Sequence, residues 1–268
     1  MRKTLLGYQK SGTKMAFGIT AITRSVQTLL PIICLAVALI GVSSIATAQD
    51  QTGVSFDNPE DAIAFYLQAV TQGDTAQIIQ VCAIDEMSEN FSFDLYIDWI
   101  QYLTISSPAP SDYPFYAEMN KAQFTWEALR QVQYLAYRLL ATENGTTEGL
   151  TVPMQMEGAT QFLEELNPER LAQLQVIEIG VPYPDMMNTE RIQENFGKRA
   201  QIYGADELTE RVVLLSFEGD YYYMGFTLLR YGENWKISGA NSPLGNTSAM
   251  GTPQEITEEE FEEIIASD

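Results

Sequence analysis

No histidine occurs anywhere in the chain. That absence removes Ser-His-Asp and Cys-His catalysis, histidine proton shuttles and the usual zinc and copper ligand sets. Cysteine is nearly absent as well, with Cys34 and Cys82 the two examples. Cys34 lies inside an apolar N-terminal run, so Cys82 is the one cysteine after residue 48 and no disulfide can form within the rest of the chain. The fold must therefore rest on a hydrophobic core. Cys82 sits in Ile78-Ile-Gln-Val-Cys-Ala-Ile84, and the nearest basic residue in sequence is Lys121. It reads as a small core residue, because a reactive thiol wants a cationic neighbour. Gly-rich phosphate loops, Cys-rich metal motifs and Asp-x-Asp-x-Asp-Gly calcium loops are all missing, so no cofactor and no metal is expected.

Basic residues are scarce too, 15 against 36 acidic ones, for a net charge of −21. Five of those basic residues precede Val26 and no acidic residue does; without residues 1–48 the balance is ten basic against 36 acidic, a net of −26. A field of that sign repels phosphate backbones, so nucleic-acid binding is not expected. Lys198 and Arg199, with Arg191 nearby, are the one basic grouping, and a solvated helix face explains them equally well.

What the chain does have is a 24-residue stretch without charge, Val26 to Gln49. A basic flank, an apolar run and the small-residue end Ala46-Thr47-Ala48 make an export signal. Cleavage between Ala48 and Gln49 is the favoured outcome. An uncleaved run would be a single-pass anchor, being long enough to span a bilayer. Both outcomes place residues 50–268 outside the cytoplasm, secreted or in the cell envelope, with membrane contact expected only through residues 26–48 if the run stays. Translation from Met15 instead of Met1 would give a more usual signal length. A lipidated Cys34 is disfavoured, because Ile33 precedes it and it lies mid-run.

After a linker at 49–57, one α+β domain is expected over 58–242, followed by an acidic tail at 243–268. Asn58-Pro59-Glu60-Asp61 opens a helix, Gly73 closes it and Asp74 caps the next. Ser92 is placed as the cap of a helix carrying Phe93, Tyr96, Ile97, Ile100 and Leu103. A long helix is expected from near Phe115 to Ala141, with Met119, Trp126, Leu129, Leu135 and Leu139 among its apolar positions. Asn167-Pro168 repeats the cap-then-proline device. A strand follows at Gln175–Val181, a helix within Asn188–Tyr203, and then a three-strand meander through Glu218-Gly219-Asp220 and Gly232-Glu233-Asn234. Alternation along the middle strand puts Tyr222, Met224, Phe226 and Leu228 on one large apolar face, to be met by the helices. Tyr221, Tyr223 and Thr227 take the other, more polar side. In the tail, Ile256, Phe261, Ile264 and Ile265 form a weak apolar stripe beside the acidic run Glu258–Glu263.

Two stretches resemble the nuclear-transport-factor-2-like superfamily, the cone-shaped α+β fold. They are Asn58-Pro-Glu-Asp-Ala-Ile-Ala-Phe-Tyr-Leu-Gln-Ala-Val-Thr-Gln-Gly-Asp74 with its following short helix, and the meander ending Tyr231-Gly-Glu-Asn-Trp-Lys-Ile237. The chain resembles a secreted bacterial member with helical sequence inserted from about Ser92 to Leu174. The resemblance implies N-terminal helices packed on a C-terminal antiparallel sheet. It also implies a pocket between them, for which Tyr66, Trp99, Phe226 and Trp235 are the candidate ligand-binding residues. Some members are isomerases with a carboxylate base, and Glu178 and Asp185 are the candidates for such a group at the sheet end. No catalytic constellation is visible, so the expectation is an extracytoplasmic, non-enzymatic domain that binds a small molecule or a protein. The alternative is a histidine-free isomerase- or hydrolase-like enzyme using a pocket carboxylate.

Overall fold

The computed structural model describes residues 54–141 and 156–266. The apolar run, its Ala48–Gln49 junction and most of the linker lie outside the described residues.

Local sequence chemistry sets the first helices. In α1 (Pro59–Gln72) the Asn58 side chain accepts the Asp61 N–H at 2.8 Å, Pro59 fills the first turn, and Gly73 ends the helix at φ 66°. Asp74 accepts the N–H groups of Ala76 and Gln77, both at 3.0 Å, and opens α2 (Thr75–Val81). Then come α3 (Ile84–Asn90) and α4 (Phe93–Ile100). Leu103, expected on this helix, lies in the loop after it, because Gln101 turns left-handed at φ 59° and ends α4. Ser92 stands at the start of α4, but its side chain makes no capping bond. Its backbone N–H instead donates to the Ile202 carbonyl at 2.7 Å, so tertiary pairing fixes this end. The long helix is α5 (Pro114–Leu140), followed by α6 (Met156–Glu165) and a 3-10 turn, Pro168–Gln173, capped by Asn167.

The second half supplies the sheet. It runs β1 (Gln175–Gly180), α7 (Pro184–Met187), α8 (Glu190–Ile202), β2 (Glu207–Phe217), β3 (Asp220–Tyr231), β4 (Asn234–Gly239), β5 (Gln254–Glu255) and α9 (Glu258–Ile265). The strand order is β1-β2-β3-β4, every pair antiparallel, with β5 also pairing with β3. The fold is α+β, helices first and sheet last. The β2–β3 turn has both Glu218 (φ 52°) and Gly219 (φ 102°) in left-handed conformations. Two positive φ values in a two-residue loop match the twist of the flanking strands.

The helices cover the face of β3 that alternation assigns to them. Tyr222, Met224, Phe226 and Leu228 are all buried, in one core with Ile63, Tyr66 and Leu67 of α1. Arg211 of β2 adds an ion pair to Glu60 of α1 at 2.6 Å.

The opposite face, the more polar one by alternation, is covered as well. Tyr223 and Thr227 are buried. The chain after β4 folds back over them, and Phe261 of α9 packs with Val212, Leu214 and Tyr223 as a second apolar cluster. Two glycines permit this cover. A Cβ on Gly180 would collide with Ile265, and one on Gly225 would lie 2.5 Å from Ser242. The tail thus closes the sheet, with its acidic residues on the outer side of α9.

The apolar positions of α5 divide between surface and core. Met119 is 51% exposed and Trp126 57%, whereas Leu135 and Leu139 are fully buried. The helix is longer than the core beneath it, so its first half projects an apolar surface outward.

Candidate functional site

Three of the four aromatic candidates are core residues. Tyr66 and Phe226 meet edge-to-face at 5.4 Å between ring centroids, and Trp235 is buried beside them in the same core. Burial pushes the Tyr66 phenol far above its usual range, with Cys82 adding to the effect. These three aromatics form the packing between sheet and helices.

Trp99 stands apart from those three. It lines a cleft of about 220 Å³ with Tyr96, Phe124, Tyr203, Glu127 and Arg199, roofed by sheet residues such as Thr227. A second cavity, about 290 Å³, shares Phe124, Glu127 and Asn241 and extends to Arg130. Glu127 therefore sits where the two meet, accepting a hydrogen bond from Gln123 Nε2 at 3.0 Å. Burial, then the neighbouring Tyr96, pushes the Tyr203 phenol up to about 12, so it is a neutral hydrogen-bond donor at physiological pH. Arg199 is committed to the buried Glu210 carboxylate at 3.2 Å. The expected basic grouping is similarly neutralised at Lys198, which pairs with Glu194 at 2.8 Å. Sequence reading missed Glu127 because it lies on a helix face with no motif around it.

A larger, polar cavity of about 670 Å³ lies beside α2 and α3. Its two lysines are paired, Lys121 with Asp85 at 2.6 Å and Lys236 with Glu86 at 2.5 Å, while Glu86 Oε2 is buried without a hydrogen-bond partner. Cys82 lines it, and burial pushes its thiol up to about 12 despite the opposing field of Lys236. That thiol is a poor nucleophile, in keeping with a core role. Glu178 is half-buried on β1 and Asp185 exposed on α7, and neither lines these cavities. Among the described residues no group of three or more Cys, Asp or Glu is placed to hold a metal ion.

The most unusual surface lies on α4, the loop after it and the first half of α5. Ten of the sixteen exposed large apolar side chains among the described residues fall between residues 95 and 126. Six of the eight residues of α4 are large and apolar, yet none is fully buried. The loop lies along α5, since Asn120 holds both the N–H (2.9 Å) and the carbonyl (2.8 Å) of Ala109, and Gln123 donates to Ser106. The ten side chains expose on the order of 1,000 Å², at ~150–250 Å² for a whole aromatic side chain. The largest apolar patch of an ordinary monomer is about 300–600 Å².

No protein-family model and no curated protein matches the chain. Among solved structures it is similar to a cystatin-like protein from Ruminococcus gnavus, at 23% identity and a TM-score of 0.52. The match covers 78% of this chain and 46% of that one. The chain thus corresponds to less than half the length of that structure. At this identity the likeness concerns the α+β fold alone.

Proposed function

We propose that the protein is an extracytoplasmic, non-enzymatic interaction domain that binds through the α4–α5 face. The observation that supports this reading is the apolar surface between Leu95 and Trp126, held out by a loop pinned at Asn120. Burying such a surface is the main favourable term in association, whereas leaving it in water invites aggregation. The uncharged run Val26–Gln49 with its basic flank supports export. Among the described residues no helix is long and apolar enough to cross a membrane, so the N-terminal run is the segment that would direct the chain there. The opening α1, its Gly73-Asp74 turn, α2 and the closing meander support a divergent cone-like fold with α4 to α6 inserted. On that reading the insertion supplies the binding face.

Hydrogen–deuterium exchange tests the reading. The full chain is compared with and without the envelope fraction of its native host. Peptides within 95–126 are expected to slow their exchange on addition. Unchanged exchange there, with the protein folded, would remove the reading.

A second reading has one observation behind it, the Glu127 carboxylate in a cleft shared with the neutral phenol of Tyr203. A carboxylate base with a phenol donor suits proton abstraction beside a carbonyl. Glu127-dependent deuterium incorporation into small ketones in D2O would support that enzyme; none is expected if the domain only binds.

A further inference from the structure

Resting on the interaction-domain reading, we infer that the occupant of the α4–α5 face is the headgroup–acyl boundary of an electrically neutral lipid bilayer. Its contact is the loop tip Tyr102-Leu103-Thr104-Ile105. The loop is built in the reverse of an aqueous loop. Its polar groups turn on one another: the Thr104 N–H donates to Ser107 Oγ at 3.1 Å, the Ser107 N–H to the Thr104 carbonyl at 3.1 Å, and the Thr104 and Ser107 hydroxyls lie 3.0 Å apart. Its apolar groups turn out, Tyr102 at 65%, Leu103 at 62% and Ile105 at 108% exposure. A tip that lies at the headgroup level stays in a polar layer, where the N–H groups of Tyr102, Leu103 and Ile105 need no partner within the loop. From Trp99 to Ser111 there is no charged residue. Trp99, Tyr113, Tyr116 and Trp126 flank the tip, the residue types that settle at a bilayer's headgroup level.

Charge and side-chain chemistry choose among occupants. A protein partner of this area would be oriented by roughly one hydrogen bond per 100–200 Å², and among the side chains of the tip only the Tyr102 hydroxyl is free of a partner within the loop. A second copy brings a like net charge, −26 after residue 48, to the same contact. The same charge disfavours anionic lipid, and the charged residues nearest the tip in sequence, Asp94, Asp98, Asp112 and Glu118, are acidic, while the next basic ones along α5, Lys121 and Arg130, are held by Asp85 and stacked on Trp126.

The test uses the full chain and phosphatidylcholine vesicles. The chain has three tryptophans, two of them exposed on this face (Trp99 and Trp126) and the third, Trp235, buried; none lies in residues 26–48. Tryptophan emission therefore reports the face whether or not the run inserts. The expected result is a blue shift with quenching by brominated acyl chains. Both should weaken as phosphatidylglycerol is added, and both should be lost in L103D/I105D, whatever the run contributes to vesicle attachment. That variant keeps its fold because both side chains are exposed. Unchanged emission at saturating neutral lipid overturns the proposal. If instead the wild type sediments as a dimer that L103D/I105D abolishes, the occupant is a second copy: the lipid assignment fails and the interaction-domain reading stands. If emission is unchanged, the chain is monomeric and the envelope fraction leaves 95–126 unprotected, both fail.

Discussion

Replacing Glu210 by alanine tests the packing logic most severely. Glu210 is fully buried on β2, where one carboxylate oxygen accepts from Arg199 at 3.2 Å. The other accepts from Ser242 Oγ at 2.7 Å and from the Leu244 N–H at 2.8 Å. Ser242 in turn accepts from the Gly245 N–H at 2.9 Å. One side chain thus ties α8 and the loop after β4 to the sheet. Removing one partner of a buried pair costs about 3–5 kcal/mol, because the groups left behind stay desolvated. For a domain of this size that is a fall in melting temperature of roughly 6–20 °C. Glu210→Gln keeps the acceptor geometry but turns an amide donor toward Arg199 or Ser242, so it should lose less, about 1–3 kcal/mol. Urea denaturation followed by circular dichroism gives the values. A Glu210→Ala protein within about 1 kcal/mol of wild type, or a Gln variant worse than Ala, would refute this account of the sheet's outer cover.

Phe226→Ala should destabilise by about 3–5 kcal/mol, since the ring is fully buried against Tyr66, and Phe226→Asp should not fold; an aspartate variant with unchanged melting removes the helix–sheet packing. Phe261→Ala should cost a similar ~3–5 kcal/mol and increase dye binding as Val212, Leu214 and Tyr223 become exposed; no change would make the tail dispensable. Hydrogen bonding to Arg170 holds the Glu218 carboxyl below its usual value. The stability from this pair is therefore present above the unfolded carboxylate range and is lost as pH falls through the folded value; Glu218→Gln should flatten that part of the acid titration, and an identical titration would deny it. N-terminal sequencing of protein from the native host should begin at Gln49, whereas an intact residue 2–48 segment in the membrane fraction would make the chain single-pass anchored.

The elements legible in the sequence are those whose residues act locally. Asn58 with Pro59, Gly73 with Asp74, and Asn167 with Pro168 mark ends because each satisfies or withholds a nearby backbone donor. The alternation of Tyr222, Met224, Phe226 and Leu228 identifies a buried face because strand geometry has a period of two. Elements fixed at long range were not legible. Tyr223 and Thr227 look half-polar until the returning tail covers them, and nothing local shows that Gly180 and Gly225 are there to admit it. The apolar positions of α5 do not show by spacing that Met119 and Trp126 are exposed, because an exposed apolar stripe has the same spacing as a buried one. Of the four aromatic candidates, Trp99 alone lines one of the cavities described above. Glu127, with Tyr203 beside it, comes from helices far apart in sequence, so no spacing rule could pair them.

The central claim is that the α4–α5 face is covered when the protein is at work. A photo-crosslinking amino acid at Ile105, with a control at exposed Glu169, measures this in the living host. The account predicts strong lipid or protein adducts at Ile105 and few at Glu169. Equal, water-quenched reaction at both positions would contradict it.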